Sequence, residues 1–437
     1  MKPKVSVIMP SLNVANYIRE CIVSVLCQSL SNIEILCIDA GSTDGTLEIL
    51  REYQKEDSRV NVFVSDVKSY GVQINLGIKL AKGEYISIVE TDDYIETEMF
   101  EILSGLADEY GVDYVKADFD SFHVLENGEK YFEKNRVFID HYELYNRIID
   151  PSQINQLYIY DFNLWKGIYR TSFLKNNSIL LNESRGAAYQ DIGFTEMVLA
   201  SARKAYYCDR SFYRYRIGRV GASCGSLYGL KYSYDEFSRL IELNKQNDFI
   251  VNKKGFFLHM ATSYMGELTA YLKRETNIIR DDELSKCCHW FQKVLKDQVD
   301  KGVLSLDDIP EKMRERVSKA IYFPDDLLHE ITEEKVNKER QYQKISDKAN
   351  VIIFGAGKIG KRVRVELDDL RFHVIVFADN MLKDEKILGT PIYGLSDCMN
   401  RYPDAIYIIA SHTQAENMYE EYLQAGGHPE NCIRNWL

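Results

Sequence analysis

Four short runs near the start of the chain are apolar without a polar face: VSVIM (5–9), IEILCI (33–38), VNVFV (60–64) and YISIV (85–89). Between them, apolar positions recur at helical spacing from Tyr17, Thr46 and Gly71. Strands apolar on both faces and joined by helices predict a parallel sheet covered on each side. In such sheets, ligands gather beyond the carboxyl ends of the strands. That rule singles out the loops at 10–13, 39–42, 65–68 and 90–93.

From 110 to 225 the pattern is mixed, with strand-like YVKADF (114–119) and AYYCD (205–209) among helical and loop stretches. Residues 227–345 read as helical. FFLHMATSYMGELTAYL (256–272) and WFQKVLKDQV (290–299) carry apolar stripes suited to a core or a partner-facing surface, including a second copy of the chain. The charged run 331–348 predicts a solvated helix or linker. A new α/β pattern opens at NVIIFGAGKIG (350–360) and continues through HVIVFAD (373–379) and AIYIIA (405–410).

Composition narrows the function classes. A chain that is 45% hydrophobic and 27% charged is an ordinary folded protein, and a net charge of -12 argues against nucleic-acid binding. Nine cysteines without paired spacing point to reduced thiols and against a zinc site. The start MKPKVSVIMPS has no apolar leader, and no run of 18 apolar residues occurs. The expectation is a cytoplasmic protein that does not span a membrane, with contact at the inner membrane surface left open.

The chemistry collects at the strand exits. In EYISIVETDDYI (84–95) a buried strand runs into Glu90, Asp92 and Asp93. Such carboxylates are costly to desolvate, so they are paired, hydrogen-bonded or metal-bound. Glu90 and Asp92 stand two apart and point to one side of an extended chain, which suits a divalent cation that also binds phosphate. A helix cap is the alternative, because Asp92 or Asp93 precedes the helical stretch 94–106. SLNVANY (11–17) adds the Asn13 amide, and DAGSTDGT (39–46) adds Asp39 beside small residues that permit close approach. Together Asn13 and Asp39 can read a base edge, while Ser42, Thr43 or Asp44 can cap a helix from the same loop.

VSVIMPSLNVANYI, IEILCIDAGSTDGT, NLGIKLAKGEYISIVETDDYI and YQDIGF, in this order, resemble the inverting family 2 glycosyltransferases of the GT-A fold over residues 3–225. The resemblance implies a nucleotide-sugar donor, a UDP-sugar first, with Mn2+ or Mg2+. It also implies a glycan or lipid-linked acceptor in bacterial capsule or exopolysaccharide synthesis. On the matching positions, Pro10, Ser11, Asn13, Asp39, Gly41, Ser42, Glu90 and Thr91 would surround the donor and Asp92 would bind the metal. Three departures bear on the donor's identity: Glu90 replaces the first aspartate of the Asp-x-Asp motif, Ala40 a common second aspartate, and Ile74 a common arginine. No Gln/Arg-x-x-Arg-Trp motif of processive synthases occurs, so single transfer is expected.

An acid in the family's YQDIGF position activates the acceptor. Here that role falls to Asp191, since Gln190 cannot ionise; an N-cap is the alternative. In DFNLWKGIYRTSFL (161–174), Trp165 could stack on a sugar and Lys166 meet a phosphate, or Trp165 could be core. In FYRYRIGRVGAS (212–223), Arg214, Arg216 and Arg219 could close on a diphosphate or form a solvated cationic face.

GAGKIG (355–360) opens a helix after a strand, and Asp379 ends the next strand at the spacing of a dinucleotide fingerprint. Gly355, Gly357 and Gly360 would admit NAD or a nucleotide, or serve packing alone. The expected organisation is a GT-A domain at 1–225, divided at 110/111 into nucleotide and acceptor halves. A helical segment follows at 226–347, and a small Rossmann-like parallel α/β domain at 348–437. Two rivals stay in view, a bifunctional enzyme with NAD-dependent sugar modification and a non-catalytic nucleotide- or glycan-binding scaffold.

Overall fold

A computed structural model describes residues 2–139, 141–218, 228–274, 282–345, 350–382, 385–411, 413–434 and 436. They form two units. One draws on Met1–Ser121, Lys134–Arg216 and Gly221–His329, the other on Phe122–Glu133, Ile217–Val220 and Glu330–Leu437.

The first unit begins as the hydropathy pattern predicts. Strands β1 (Val5–Ser11), β2 (Ile33–Asp39), β3 (Val60–Val64) and β4 (Tyr85–Ile88) alternate with helices α1 (Ile18–Leu26), α2 (Thr46–Glu56) and α3 (Tyr70–Leu80). They pair in parallel in the order β3-β2-β1-β4. Every residue of β1, β2 and β4 is buried, because helices cover both faces. The chain continues through β5 (Tyr94–Ile95), α4 (Met99–Tyr110), β6 (Tyr114–Val124), β7 (Lys130–Asn135), β8 (Ile148–Ile149) and α5 (Asn155–Tyr160). Then come β9 (Gly167–Arg170), α6 (Thr171–Asn176), α7 (Gln190–Ser201) and β10 (Ala205–Arg216). β9 runs antiparallel to β4 and β6, and the sheet ends β4-β9-β6-β10-β5.

Helices α8 (Gly229–Asn247), α9 (Lys253–Arg274), α10 (Asp282–Asp300), α11 (Glu311–Tyr322) and α12 (Pro324–Lys344) follow. The stretch 226–347 was expected as one segment, but it divides near His329. α8 to α11 join the first unit through a buried aromatic seam, in which Phe237 meets Phe256 at 5.6 Å and Tyr264 stacks on Phe291 at 4.9 Å. The far part of α12 joins the second unit, where Tyr342 packs on Trp436. Among the described residues, no helix is long and apolar enough to cross a membrane.

In the second unit, β11 (Val351–Phe354), α13 (Lys358–Asp369), β12 (Val374–Ala378), β13 (Lys386–Ile387), β14 (Thr390–Tyr393), α14 (Leu395–Arg401), β15 (Ile406–Ile409), α15 (Ala415–Gln424) and β16 (Cys432–Ile433) build a second sheet. Its order is β13-β14-β12-β11-β15-β16, parallel from β14 to β16. The tip of the β6–β7 hairpin, expected to lie wholly within the first domain, belongs here. Leu125 and Tyr131 pack on Val365 of α13, and the Glu126 N–H donates to Asp368 Oδ2 at 3.0 Å.

Candidate active site

The carboxyl ends of β1, β2 and β4 gather the expected donor residues, and each is held by a specific hydrogen bond. Asp39 is fully buried at the end of β2. Its Oδ1 accepts from the Gly41 and Ser42 N–H groups at 2.9 and 2.8 Å, and its Oδ2 from the Ser42 hydroxyl at 2.5 Å. Gly41, at φ +81, makes that turn possible. Asn13 carries a positive φ of 53 on an exposed loop, where its Oδ1 accepts from the Thr43 N–H at 2.9 Å. The Pro10 carbonyl accepts from Thr91 Oγ1 at 2.8 Å, which ties β1 to the acidic turn. Gln73 of α3, not foreseen from sequence, is buried and donates to the Ser11 carbonyl at 2.9 Å.

The three acids after β4 have different fates. Glu90 accepts from the Tyr70 hydroxyl. Asp93 is buried and accepts from Tyr213 OH at 2.9 Å and from the Arg216 N–H at 2.7 Å. Burial, with Asp92 beside it, holds the Asp93 carboxyl well above the usual carboxylate range. Glu90 and Asp92 are both partly exposed at the strand exit, whereas Asp93 is buried. Tyr213 OH also accepts the Glu90 N–H at 3.0 Å, so one hydroxyl fixes both ends of the turn.

Asp191 lies in the first turn of α7 and is half-buried. Its Oδ1 accepts from the Ile192 N–H at 3.1 Å. Burial raises its pKa to about 6, helped by the nearby negative Glu236 and opposed by backbone N–H donation and His259. The loop before it is fastened to α3. The Ser69 hydroxyl donates to the Ser184 carbonyl at 2.6 Å, and the Tyr70 N–H to the Gly186 carbonyl at 2.9 Å. Tyr70 thus starts in this loop and ends on Glu90, and its hydroxyl pKa is raised by burial, by Glu90 and by Asp191. A Cβ added at Gly71 would sit 1.9 Å from the Asn182 carbonyl oxygen. Gly71→Ala should therefore lower stability by about 1–3 kcal/mol, read by urea unfolding.

Several expected contacts are instead committed to the protein. Gln190 is buried, its amide donating to Ser184 Oγ at 3.0 Å and to the Ser184 and Gly186 carbonyls at 3.3 Å, so it staples the loop and does not face an acceptor. Trp165 is 7% exposed and stacks on Tyr213 at 4.2 Å and Tyr215 at 5.1 Å, a core position without a ring face for a sugar. Lys166 is 1% exposed and ion-paired with Asp161 at 2.8 Å, out of reach of a phosphate. Arg214 pairs with Glu96 at 3.0 Å and Asp120 at 3.4 Å, which keeps it from a diphosphate. Arg216 backs the acidic turn, its Nε donating to the Asp92 carbonyl at 2.8 Å and its guanidinium pairing with Glu20 at 2.5 Å. Arg219 lies outside the described residues.

In the second unit, Gly355 has φ +108, and a Cβ at Gly360 would sit 1.9 Å from the Gly355 carbonyl oxygen, so both glycines serve the turn itself. Gly357 leads into α13 with open space around it. Asp379 Oδ2 accepts from the Ala356 N–H at 2.9 Å, and Oδ1 from the Met381 and Leu382 N–H groups at 2.8 and 3.1 Å. The acid expected at the dinucleotide-fingerprint spacing caps its own loops.

Residues 6–163 match the family model described as Glycosyl transferase family 2. The glycosyltransferase GlyA of Streptococcus pneumoniae is 27% identical over 227 residues, 50% of this chain and 31% of that protein. The Bacillus subtilis protein described as uncharacterized glycosyltransferase EpsJ is 31% identical over 222 residues, 49% of this chain and 62% of that protein. Both matches thus span less than two thirds of the relative's own length. The crystal structure of S. aureus TarS 1-349 in complex with UDP-GlcNAc shares the fold, with a TM-score of 0.54 at 19% identity over 78% of this chain and 92% of that one. With these motifs on this sheet, residues 6–163 are a glycosyl transferase family 2 domain of the GT-A fold.

Proposed function

We propose that the chain is a metal-dependent, inverting glycosyltransferase that moves one sugar from a nucleoside diphosphate donor, a UDP-sugar first, to a glycan or lipid-linked acceptor. Bacterial surface polysaccharide synthesis, carried out in the cytoplasm at the inner face of the membrane, is the setting this chemistry fits. The observation that carries the reading is Tyr70, which joins the loop of Asp191 to Glu90 at the acidic turn and feels both carboxylates. A base for the acceptor and an acidic turn for the donor thus share one neighbourhood.

In this reading Asp191 takes the proton from the acceptor hydroxyl as its oxygen bonds to the anomeric carbon. The bond to the donor's diphosphate breaks on the opposite face, and the nucleoside diphosphate leaves. Asn13 lines the nucleotide end on a loop that the buried Asp39 shapes through Gly41 and Ser42, while Asp92, partly exposed at the strand exit, fits a divalent ion that takes most of its remaining ligands from the diphosphate and water. Such an ion, Mn2+ or Mg2+, would neutralise charge on the leaving diphosphate. Among the described residues, no group of three or more His, Cys, Asp or Glu is placed to hold a metal unaided, so the donor's oxygens belong to the proposed site.

Calorimetric titration of UDP, GDP, CDP and dTDP, each with and without Mn2+, tests this. One nucleotide should bind only with Mn2+, and Asp92→Ala should weaken it by roughly tenfold or more, the loss of one charged contact. Metal-independent binding, or none, would remove the assignment of Asp92. The same titration with NAD addresses the bifunctional rival, against which the capped Asp379 stands.

A further inference from the structure

Asp191 is approached from two sides. On one side α3 pins its loop, as described above. On the other stand α8 and α9, helices beyond the family match at 6–163. Glu236 of α8 is buried, its Oε1 accepting from Asn182 Nδ2 at 2.6 Å and its Oε2 from Arg239 at 2.9 Å. A Cβ at Gly193, two residues after Asp191, would sit 2.5 Å from Glu236 Oε2 and 2.3 Å from the Arg239 guanidinium, so α8 rests directly on the first turn of α7. Glu267 of α9 accepts a hydrogen bond from the Tyr189 hydroxyl. Tyr232 of α8 lies 6.1 Å from the Tyr189 ring.

Tyr189 itself is strained. Its φ of 68 puts a bulky aromatic residue in the left-handed region, two residues before Asp191. A conformation of this kind is sparsely populated and persists only where the surroundings impose it. Here they are a side chain anchored on α8 and α9, and a Gln190 amide tied to Ser184 and Gly186. The left-handed residue turns the chain so that Gln190 enters the protein while Asp191 stays partly exposed.

We propose that α8 and α9 are a working part of the transferase, in which Tyr189 and Glu236 act as positioning residues that aim Asp191 at the acceptor hydroxyl. This inference rests on reading Asp191 as the base. The groups facing Asp191 are Tyr70 from α3, Glu236 with Arg239 from α8, and His259 from α9, which is itself paired to Glu196 of α7 at 2.5 Å. Of these, Glu236 adds negative charge near the carboxylate, so its removal also changes the pH at which Asp191 ionises.

The test uses the full chain and the sugar nucleotide it hydrolyses fastest in a panel of UDP-, GDP-, CDP- and dTDP-sugars. Tyr189→Phe deletes only the anchoring hydroxyl and leaves no cavity. It and Glu236→Ala should each lower kcat about 10- to 100-fold, the scale of a 1 Å misplacement, with nucleoside diphosphate affinity unchanged. Glu236→Gln keeps the bond from Asn182 and should recover most of kcat, while the acidic limb of its pH profile moves to lower pH. Wild-type kcat in both Tyr189→Phe and Glu236→Ala would overturn the proposal, as would parallel losses of kcat and nucleotide affinity. Asp191→Asn, run alongside, separates the two readings. If it is inactive while the positioning variants run at the wild-type rate, only the frame is wrong; if it retains turnover, the base assignment itself has failed.

Discussion

Asp191→Asn should lower transfer by about 10²–10⁴-fold, the usual contribution of a positioned general base, while leaving nucleotide binding intact. Asparagine keeps the shape of the side chain and can still accept the Ile192 N–H, but it cannot take a proton. The same substitution should stabilise the fold at neutral pH. Burial first, then Glu236, raises the Asp191 pKa to about 6, so at pH 7 the fold holds a carboxylate it would rather protonate. A carboxyl whose folded pKa lies above its unfolded value contributes stability that is complete at low pH and is lost as pH rises through the folded value. Allowing for the partial exposure of Asp191, the variant should gain about 1–2 kcal/mol at pH 7, and the gain should vanish near pH 4. In the wild-type enzyme, kcat should fall as pH drops through about 6, where Asp191 becomes protonated. Undiminished transfer by the variant would exclude the base role, and a stability difference independent of pH would exclude the burial argument.

The sheet and the gathering of acids at its strand exits were legible in the sequence because both are local. Unbroken apolar runs marked β1, β2 and β4, and the rule that ligands sit beyond strand ends pointed to Asp39, Glu90 and Asp92 without any knowledge of pairing. Side-chain commitments were not legible, because they are made across long sequence separations. Nothing in ETDDYI says that Asp93 will be taken by Tyr213, 120 positions away, or that Glu90 will be held by Tyr70. Trp165 and Arg214 looked available for the same reason, their partners being supplied by β6, β10 and Glu96 just after β5. The helices were read as separate because their apolar stripes do not say which surface they cover; that surface includes the loop before Asp191. A positive φ at a tyrosine has no sequence signal at all, and Tyr189 could not have been found before the structure.

The largest loss of stability should come from Asp161→Asn, in a place that looked like substrate-binding chemistry. Asp161 is buried between Lys116, at 2.9 Å, and Lys166, at 2.8 Å, and it accepts from the Tyr207 hydroxyl. Both lysines are 1% exposed, so one carboxylate serves two buried ammonium groups. Burial pushes the Lys116 pKa down to about 8 even with Asp161 in place. Removing one partner of a buried ion pair leaves uncompensated charge and costs about 3–5 kcal/mol, which urea unfolding at pH 7 would read directly. The deficit should shrink as pH rises toward 9. A lysine whose folded pKa is below its unfolded value contributes stability that is complete above the unfolded value and is lost as pH falls through the folded one; in the variant the folded value drops further, so its ammonium sheds the proton sooner. The double change Asp161→Asn with Lys116→Met should recover more than half of the loss, because it removes a stranded charge and fills the same space with apolar atoms. A single variant within about 1 kcal/mol of wild type would mean that water reaches these lysines, since only solvation could replace the missing carboxylate so cheaply.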